Sequence, residues 1–328
     1  MGYLEDNART AAKLPSDKLD ICEENLDLFF ETMFERQEIW HKRNILGKER
    51  PWTKNKLFAE YKFTNVYREL DRNSQYQIKN IFKKETNRKE LIWKIMFFRF
   101  FNNPEFFDFM EQIPSYSDFD AEKLKRTMKI FRISGGNPFT NAYLTNSQAC
   151  PGCTRDECFA FKVIPTLHEM VPKLSLLLIK AKEPEEIIKL LLTLPSVSHF
   201  MAHEFYQDFT YADRYSEIKL MKFDQNDFTN IGPGAEAGIR LIFPNRKRKA
   251  DKIQAIYDLK DLSQQYLEKF GEFKYLGYTE GLYFIEKNGE LTLHAMEMWL
   301  CEFQKYWKMI VGEGKQRSKF TPISKPIR

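Results

Sequence analysis

The chain has 328 residues, of which 43% are hydrophobic, 30% charged and 15% aromatic, with 29 Phe but only 14 Gly and 14 Pro. That balance excludes collagen-like, low-complexity and disordered sequence and suits one or two packed domains. The net charge of +5 is uneven: residues 244–252 and 312–328 each carry +4, which leaves −3 on the rest.

The stretch from Leu174 to Ile179, flanked by Lys173 and Lys180, is far too short to cross a bilayer. Residues 1–6 show no basic and apolar leader pattern, and Asp6 stands where a myristoylation signal needs Ser or Thr. The five cysteines, an odd number, fit a reducing intracellular compartment. The RKRK run suits a nucleus, and the cytoplasm of a bacterium, a phage-infected one included, is equally compatible.

Helical periodicity runs through almost the whole chain. Ser16 or Asp17 caps a helix reaching about Arg43, with Leu26, Phe29, Phe30 and Met33 inward. A break at Gly47 to Trp52 precedes a helical region over 54–84. Thr86 or Asn87 opens the most apolar helix, which Pro104 stops. Helices near 104–112 and 120–132 lead to a turn at 134–138. A cysteine loop at 148–158 precedes helices near 165–182, 184–193, 198–209, 233–243, 250–270 and 291–310, with a hairpin within 275–285. The expected fold is mostly α: one helical domain at 53–311 with the basic loop 244–252 inside it, a helical extension at 1–52 and a flexible basic tail at 312–328.

No Walker A, G-x-S-x-G, H-E-x-x-H or G-x-G-x-x-G motif occurs in these residues. Cys150-Pro-Gly-Cys153 with Cys158 reads as free thiols in a loop, as part of a zinc knuckle one ligand short, or as a redox pair. The basic run Arg246, Lys247, Arg248 and Lys249 reads either as a phosphate-contacting strip or as a solvated loop.

Three segments carry chemistry. Leu194-Pro195-Ser196-Val197-Ser198 joins two helices in a tight turn, where amides at the second N-terminus, beside Ser198, can hold a phosphate. An ordinary helical hairpin is the plain alternative. Asp227 precedes Gly232-Pro233-Gly234-Ala235, a loop of amides feeding a helix, which reads as an anion cradle or simply as a capped turn. Glu302 and Lys305 share a helix face as an ion pair. Asn65, Arg68 and Arg72 cluster in the run from Phe63 to Arg72. Arg99 and Asn102 lie on an otherwise apolar helix, so Arg99 needs an internal partner or a ligand.

The turn after Leu194 resembles the helix-hairpin-helix of DNA glycosylases, with Ser196 and Ser198 at its two glycine positions and Phe200 where bifunctional members keep lysine. Taken in order, T-N-V-Y-R-E-L-D-R, F-F-R-F-F-N, L-P-x-V-x-x-F-M-A with Asp208, N-D-F-x-x-x-G-P-G-A and E-x-x-L-C-E-F-x-K-Y resemble the helical domain of 5-hydroxymethyl-deoxyuridine DNA kinases. The same domain is named alpha-glutamyl/putrescinyl thymine pyrophosphorylase. The resemblance runs from about Phe63 to Tyr306 and implies a glycosylase-like helical fold and thymine hypermodification in DNA.

Kinase members carry an additional P-loop domain that these residues do not contain. The resemblance therefore implies a transferase that replaces pyrophosphate on a 5-hydroxymethyluracil-derived base with an amine or amino acid. Asp208 or Asp227 would orient or deprotonate the nucleophile. Arg68, Arg72, Arg99 and the Gly232–Ala235 loop would hold the leaving group. Tyr67, Phe139 and Tyr143 would stack on an extruded base. No cofactor is required beyond a possible Mg2+. A monofunctional glycosylase using Asp227, a non-catalytic reader of modified DNA and a structural subunit remain alternatives. DNA is the expected partner, a small amine or amino acid the expected co-substrate, and no membrane is involved.

Overall fold

The computed structural model describes residues 21–140, 150–279, 282–286, 289–314 and 318–320. Ser16, Asp17, Tyr143, Lys315, Arg317, Lys325 and Arg328 lie outside them. In chain order the α-helices are α1 (Glu23–Trp40), α2 (Lys56–Glu60), α3 (Arg72–Gln77), α4 (Arg88–Phe101), α5 (Pro104–Phe109), α6 (Ala121–Ile133), α7 (Arg155–Cys158), α8 (Ile164–Lys180), α9 (Pro184–Leu191), α10 (His199–Tyr215), α11 (Pro233–Ile242), α12 (Lys249–Glu268) and α13 (Leu293–Ile310). Strands β1 (Tyr275–Thr279) and β2 (Leu282–Glu286) form one antiparallel hairpin, with Tyr275 opposite Glu286. The fold is mostly helical, with its small hairpin where the sequence places one.

The chain divides into two compact units, residues 1–71 with 228–328, and residues 72–227. In the first, Leu26, Phe29, Phe30 and Met33 of α1 join Ile239 and Ile242 of α11, Ile256 and Leu259 of α12, and Met296, Trp299 and Phe303 of α13 in one apolar cluster. The Trp299 indole donates to the Phe29 carbonyl at 3.0 Å. Residue 52 therefore does not separate an extension from a core, because α1 supplies much of that core. Nor is the tail free throughout: Lys62 N–H donates to Ser318 O at 3.1 Å and Phe320 N–H to Glu60 O at 2.9 Å.

The second unit is built around α4, whose Leu91, Ile92, Trp93, Ile95, Met96, Phe97, Phe98, Phe100 and Phe101 are all fully buried. Asn87 caps its start by accepting from the Lys89 and Glu90 amides. Its end is set by Asn102 at φ 48°, a left-handed cap, whereas Pro104 begins α5. The 54–84 region departs from one long helix. It breaks into α2, a 3-10 turn at Arg68–Leu70, α3 and a π-helical turn at Ile78–Phe82. Asn55 caps α2, and extended residues at Tyr67 and Asp71 flank the 3-10 turn. Cys158 ends α7 instead of lying in a loop, because Thr154 and Glu157 form a capping box one turn earlier.

Candidate functional site

In the second unit, α4 presents Arg99 to two carboxylates that stand one helical turn apart on α10. Arg99 Nε donates to Asp208 Oδ2 at 2.6 Å, and a second guanidinium nitrogen donates to Asp208 Oδ1. The third nitrogen reaches Glu204 Oε2 at 3.2 Å and Asn102 Oδ1 at 3.5 Å. Arg99 and Glu204 are each 1% exposed and Asp208 is 0% exposed. A guanidinium can sit there because its planar fork matches a carboxylate with two parallel hydrogen bonds, which offset the cost of leaving water. The left-handed turn at Asn102 aims that side chain back at Arg99, while the Asn102 carbonyl accepts from Asn73 at 2.9 Å. Asp208, 109 residues on from Arg99, is thus brought to Arg99 and its near neighbour Asn102.

The helix–turn–helix at α9 and α10 forms as expected. Ser198 caps α10 by accepting from the Met201 amide at 3.4 Å, and Phe200 is 44% exposed. Ser196 has φ 63°, the left-handed conformation that the glycine of the resembling pattern adopts without strain. Asp227 lies elsewhere in this unit, exposed on a turn where it accepts the Asp224 amide at 2.8 Å. Arg72 makes an exposed pair with Glu105 at 3.4 Å.

In the first unit, residues 63–71 are tied down by part-buried polar contacts. Arg36 donates to Asn65 Oδ1 at 2.7 Å, and the Asn65 amide group donates to Asp71 Oδ1 at 2.8 Å. Burial raises the Asp71 carboxyl above its ordinary range and lowers the Arg36 guanidinium to about 10. Glu302 is buried, accepts the Thr64 amide at 3.2 Å and pairs with Lys305 at 2.7 Å. Arg68 donates to the Met298 sulfur at 3.5 Å. Tyr67 is only 2% exposed.

The glycine loop has a packing role. A Cβ on Gly234 would lie 2.9 Å from Cys301 Sγ, and one on Gly238 would lie 2.5 Å from the Leu300 carbonyl oxygen. These two positions, one turn apart, let α11 approach α13 closely. The Ala235 amide hydrogen-bonds the Cys301 sulfur, and a Cβ on Gly232 would stand 3.9 Å from Glu297 Oε1. The start of α11 is therefore lined by this chain's own side chains, one of them acidic. Burial and the neighbouring Glu297 push the Cys301 thiol well up.

Within the basic run, Arg246 pairs with buried Asp258 and lies 4.3 Å over the Phe243 ring. Arg248 pairs with Asp251 at 2.8 Å, Lys247 is exposed, and Lys249 opens α12. Phe139 is a core residue, stacked on Phe101 at 5.1 Å with Arg155 3.7 Å above it. All three cysteines of the loop are free thiols. Cys158 hydrogen-bonds Cys150, and its thiol is pushed up to about 12, chiefly by burial. Among the described residues, no group of three or more His, Cys, Asp or Glu is placed to hold a metal ion. Nor, among them, is any helix long and apolar enough to cross a membrane.

Sequence reasoning missed Glu204, the second partner of Arg99, and Arg36, the partner of Asn65. Glu204 carried a signal: with Asp208 it forms an i, i+4 acidic pair on a helix whose remaining residues are largely apolar. Arg36 carried none, since nothing local relates it to a loop 29 residues away.

A 5-hmdU DNA kinase from Bacillus phage SP10 is 29% identical to the chain over 299 residues, covering 88% of the chain and 45% of that relative. The chain therefore spans less than half the length of this curated relative. No solved structure matches the chain. Residues 23–316 match the family described as the 5-hmdU DNA kinase helical domain, and the chain belongs to that family.

Proposed function

We propose that the chain acts on 5-hydroxymethyluracil in DNA, as a base-modifying enzyme. The family match over residues 23–316 carries this reading. The name of the phage relative supports the substrate, and its phage origin supports a location in the cytoplasm of an infected bacterium. DNA with the modified thymine is the macromolecular substrate, and a small amine or amino acid is the co-substrate.

The finer reaction is a transfer. The amine nitrogen attacks the methylene carbon attached to C5 of the base and forms a C–N bond. The C–O bond to pyrophosphate breaks, and its electron pair leaves with the pyrophosphate. The proton lost by the amine passes to a carboxylate. Asp227 suits that role better than Asp208, since it is exposed, whereas both oxygens of Asp208 are committed to Arg99. Asp208 is then a positioning residue, which with Glu204 fixes Arg99. Arg72, an exposed cation of the same unit as Asp227, is proposed to stabilise the leaving pyrophosphate. Ser198 and the amides that follow it, at the start of α10, are proposed to hold a DNA phosphate in the manner of a helix-hairpin-helix.

Mass spectrometry of nucleosides tests this directly. Oligonucleotides containing thymine, 5-hydroxymethyluracil or its pyrophosphorylated form are incubated with the protein, Mg-ATP and a pool of amines and amino acids. An amine adduct confined to the modified base supports the transfer and names the nucleophile. A phosphate adduct on 5-hydroxymethyluracil would replace the transfer with kinase chemistry. Release of a free base would instead establish a glycosylase. No change on any substrate would overturn the enzymatic reading in favour of a reader or structural subunit.

A further inference from the structure

The first unit carries a charged surface that the sequence motifs do not mark. Residues 41–62 contain seven Lys or Arg against two Glu, a charge of +5 that equals that of the whole chain. Two of these cations are held on a common aromatic platform. Arg43 Cζ lies 5.3 Å from the Trp52 ring centre and 5.7 Å from that of Phe320. Arg50 Cζ lies 5.4 Å and 5.2 Å from the same two rings. Trp52 and Phe320 meet edge-on at 6.3 Å.

The platform is fastened from several sides. Trp52 Nε1 donates to Lys48 O at 2.6 Å, Arg50 donates to Ala59 O at 3.1 Å, and Phe320 N–H donates to Glu60 O at 2.9 Å. Among the described residues, no carboxylate pairs with Arg43 or Arg50. Burial and the charge of Arg50 together push the Arg43 guanidinium below its ordinary range. Two like charges thus share one aromatic surface without a counter-ion, and an anion set between them would relieve their repulsion. The basic run at 246–249 is different, since Arg246 and Arg248 already hold Asp258 and Asp251. On α6 of the second unit, Lys125 and Arg132 likewise hold Glu157 and Asp156.

We propose that Arg43 and Arg50, held over Trp52 and Phe320, contact the phosphodiester backbone of the DNA outside the reacting base. This rests on the reading that the chain acts on DNA. Guanidinia held over rings retain N–H groups for phosphate oxygens, beyond the one Arg50 gives to Ala59 O, and the rings fix them before the ligand arrives. The contact is indifferent to the base, because phosphates carry no sequence information.

Fluorescence anisotropy over a salt series tests this, with labelled oligonucleotides containing either thymine or 5-hydroxymethyluracil. Arg43→Gln with Arg50→Gln should weaken binding at least tenfold at low salt, equally on both oligonucleotides. The slope of log K against log salt should fall by roughly 1.5. Lys48→Glu with Lys319→Glu, on exposed side chains, should weaken binding in the same way without disturbing the platform. Binding within twofold of the unaltered protein for both pairs, with helical circular dichroism retained, would overturn the proposal. So would a loss confined to the 5-hydroxymethyluracil oligonucleotide, or displacement of DNA by a polyglutamate peptide of equal charge. If the unaltered protein binds neither oligonucleotide, the DNA reading falls, and this inference with it.

Discussion

Arg99 and Asp208, 109 residues apart in the chain, are joined by two parallel hydrogen bonds in a site closed to water. Truncating either residue leaves the other charge buried and uncompensated. Arg99→Ala, which strands two carboxylates, is expected to cost about 3–5 kcal/mol of stability. Replacing Arg99 by Met together with Asp208 by Leu should cost less than the sum of the two single changes. Urea unfolding of all three proteins checks this, and strict additivity would show that the pair is not coupled.

Ser196 sits in the left-handed region, at φ 63°, in the turn between α9 and α10. Glycine adopts that conformation without the Cβ clash. Ser196→Gly is expected to raise stability by about 0.5–1 kcal/mol, net of the extra freedom it gives the unfolded chain. A higher midpoint in thermal unfolding is the expected readout. A lower one would mean that the serine side chain holds the turn.

Close approach of α11 and α13 predicts two different outcomes for two similar changes. Gly234→Ala and Gly238→Ala should each destabilise by about 1–3 kcal/mol through overpacking. The obstacle at Gly234 is the Cys301 side chain, whereas at Gly238 it is the Leu300 carbonyl. Cys301→Ala should therefore restore most of the loss at position 234 and none at 238, as chemical denaturation of the double variants would reveal.

Asp213 accepts the Leu220 and Met221 amides, yet burial lifts its carboxyl to about 6 from an ordinary 3.8. The folded protein therefore binds this proton more tightly than the unfolded chain. The stability contributed by this group is fully present below about pH 4 and is lost as pH rises through 6. Unfolding free energies of wild type and Asp213→Asn, compared at pH 4, 5, 6 and 7, should differ progressively more in favour of wild type toward the acid end. A difference independent of pH would show that the carboxyl is not shifted.

Local order was largely legible in the sequence. The all-round apolarity of 91–101 announces the central helix, Asn87 announces its cap, and the aromatic stretch at 275–285 announces the hairpin. An arginine in that helix called for either an internal partner or a ligand, and the structure gives it Asp208 and Glu204. What the sequence hid is the choice among distant partners. Periodicity shows that Phe29 faces a core but not that the core belongs to α13. Gly232-Pro-Gly-Ala reads as an anion loop because the spacing of its amides is visible, whereas the Cys301 sulfur and Glu297 carboxylate that line it come from a helix more than sixty residues on. The docking of Phe320 on Trp52 likewise depends on backbone pairing with residues 60–62, which no local pattern encodes.

The contact between Phe29 and Trp299 also sets an order of events during synthesis. The first unit takes its core from both ends of the chain, while the second is one continuous stretch between them. As these residues leave the ribosome, α1 emerges well before α13, with its phenylalanines uncovered. Its partner on α13 follows 270 residues later, a wait of roughly 15–55 s at bacterial and slower rates of elongation. The second unit has emerged whole by then and can fold while α1 still waits. In that interval the exposed Leu26, Phe29, Phe30 and Met33 present the kind of apolar helix face that a holding chaperone binds.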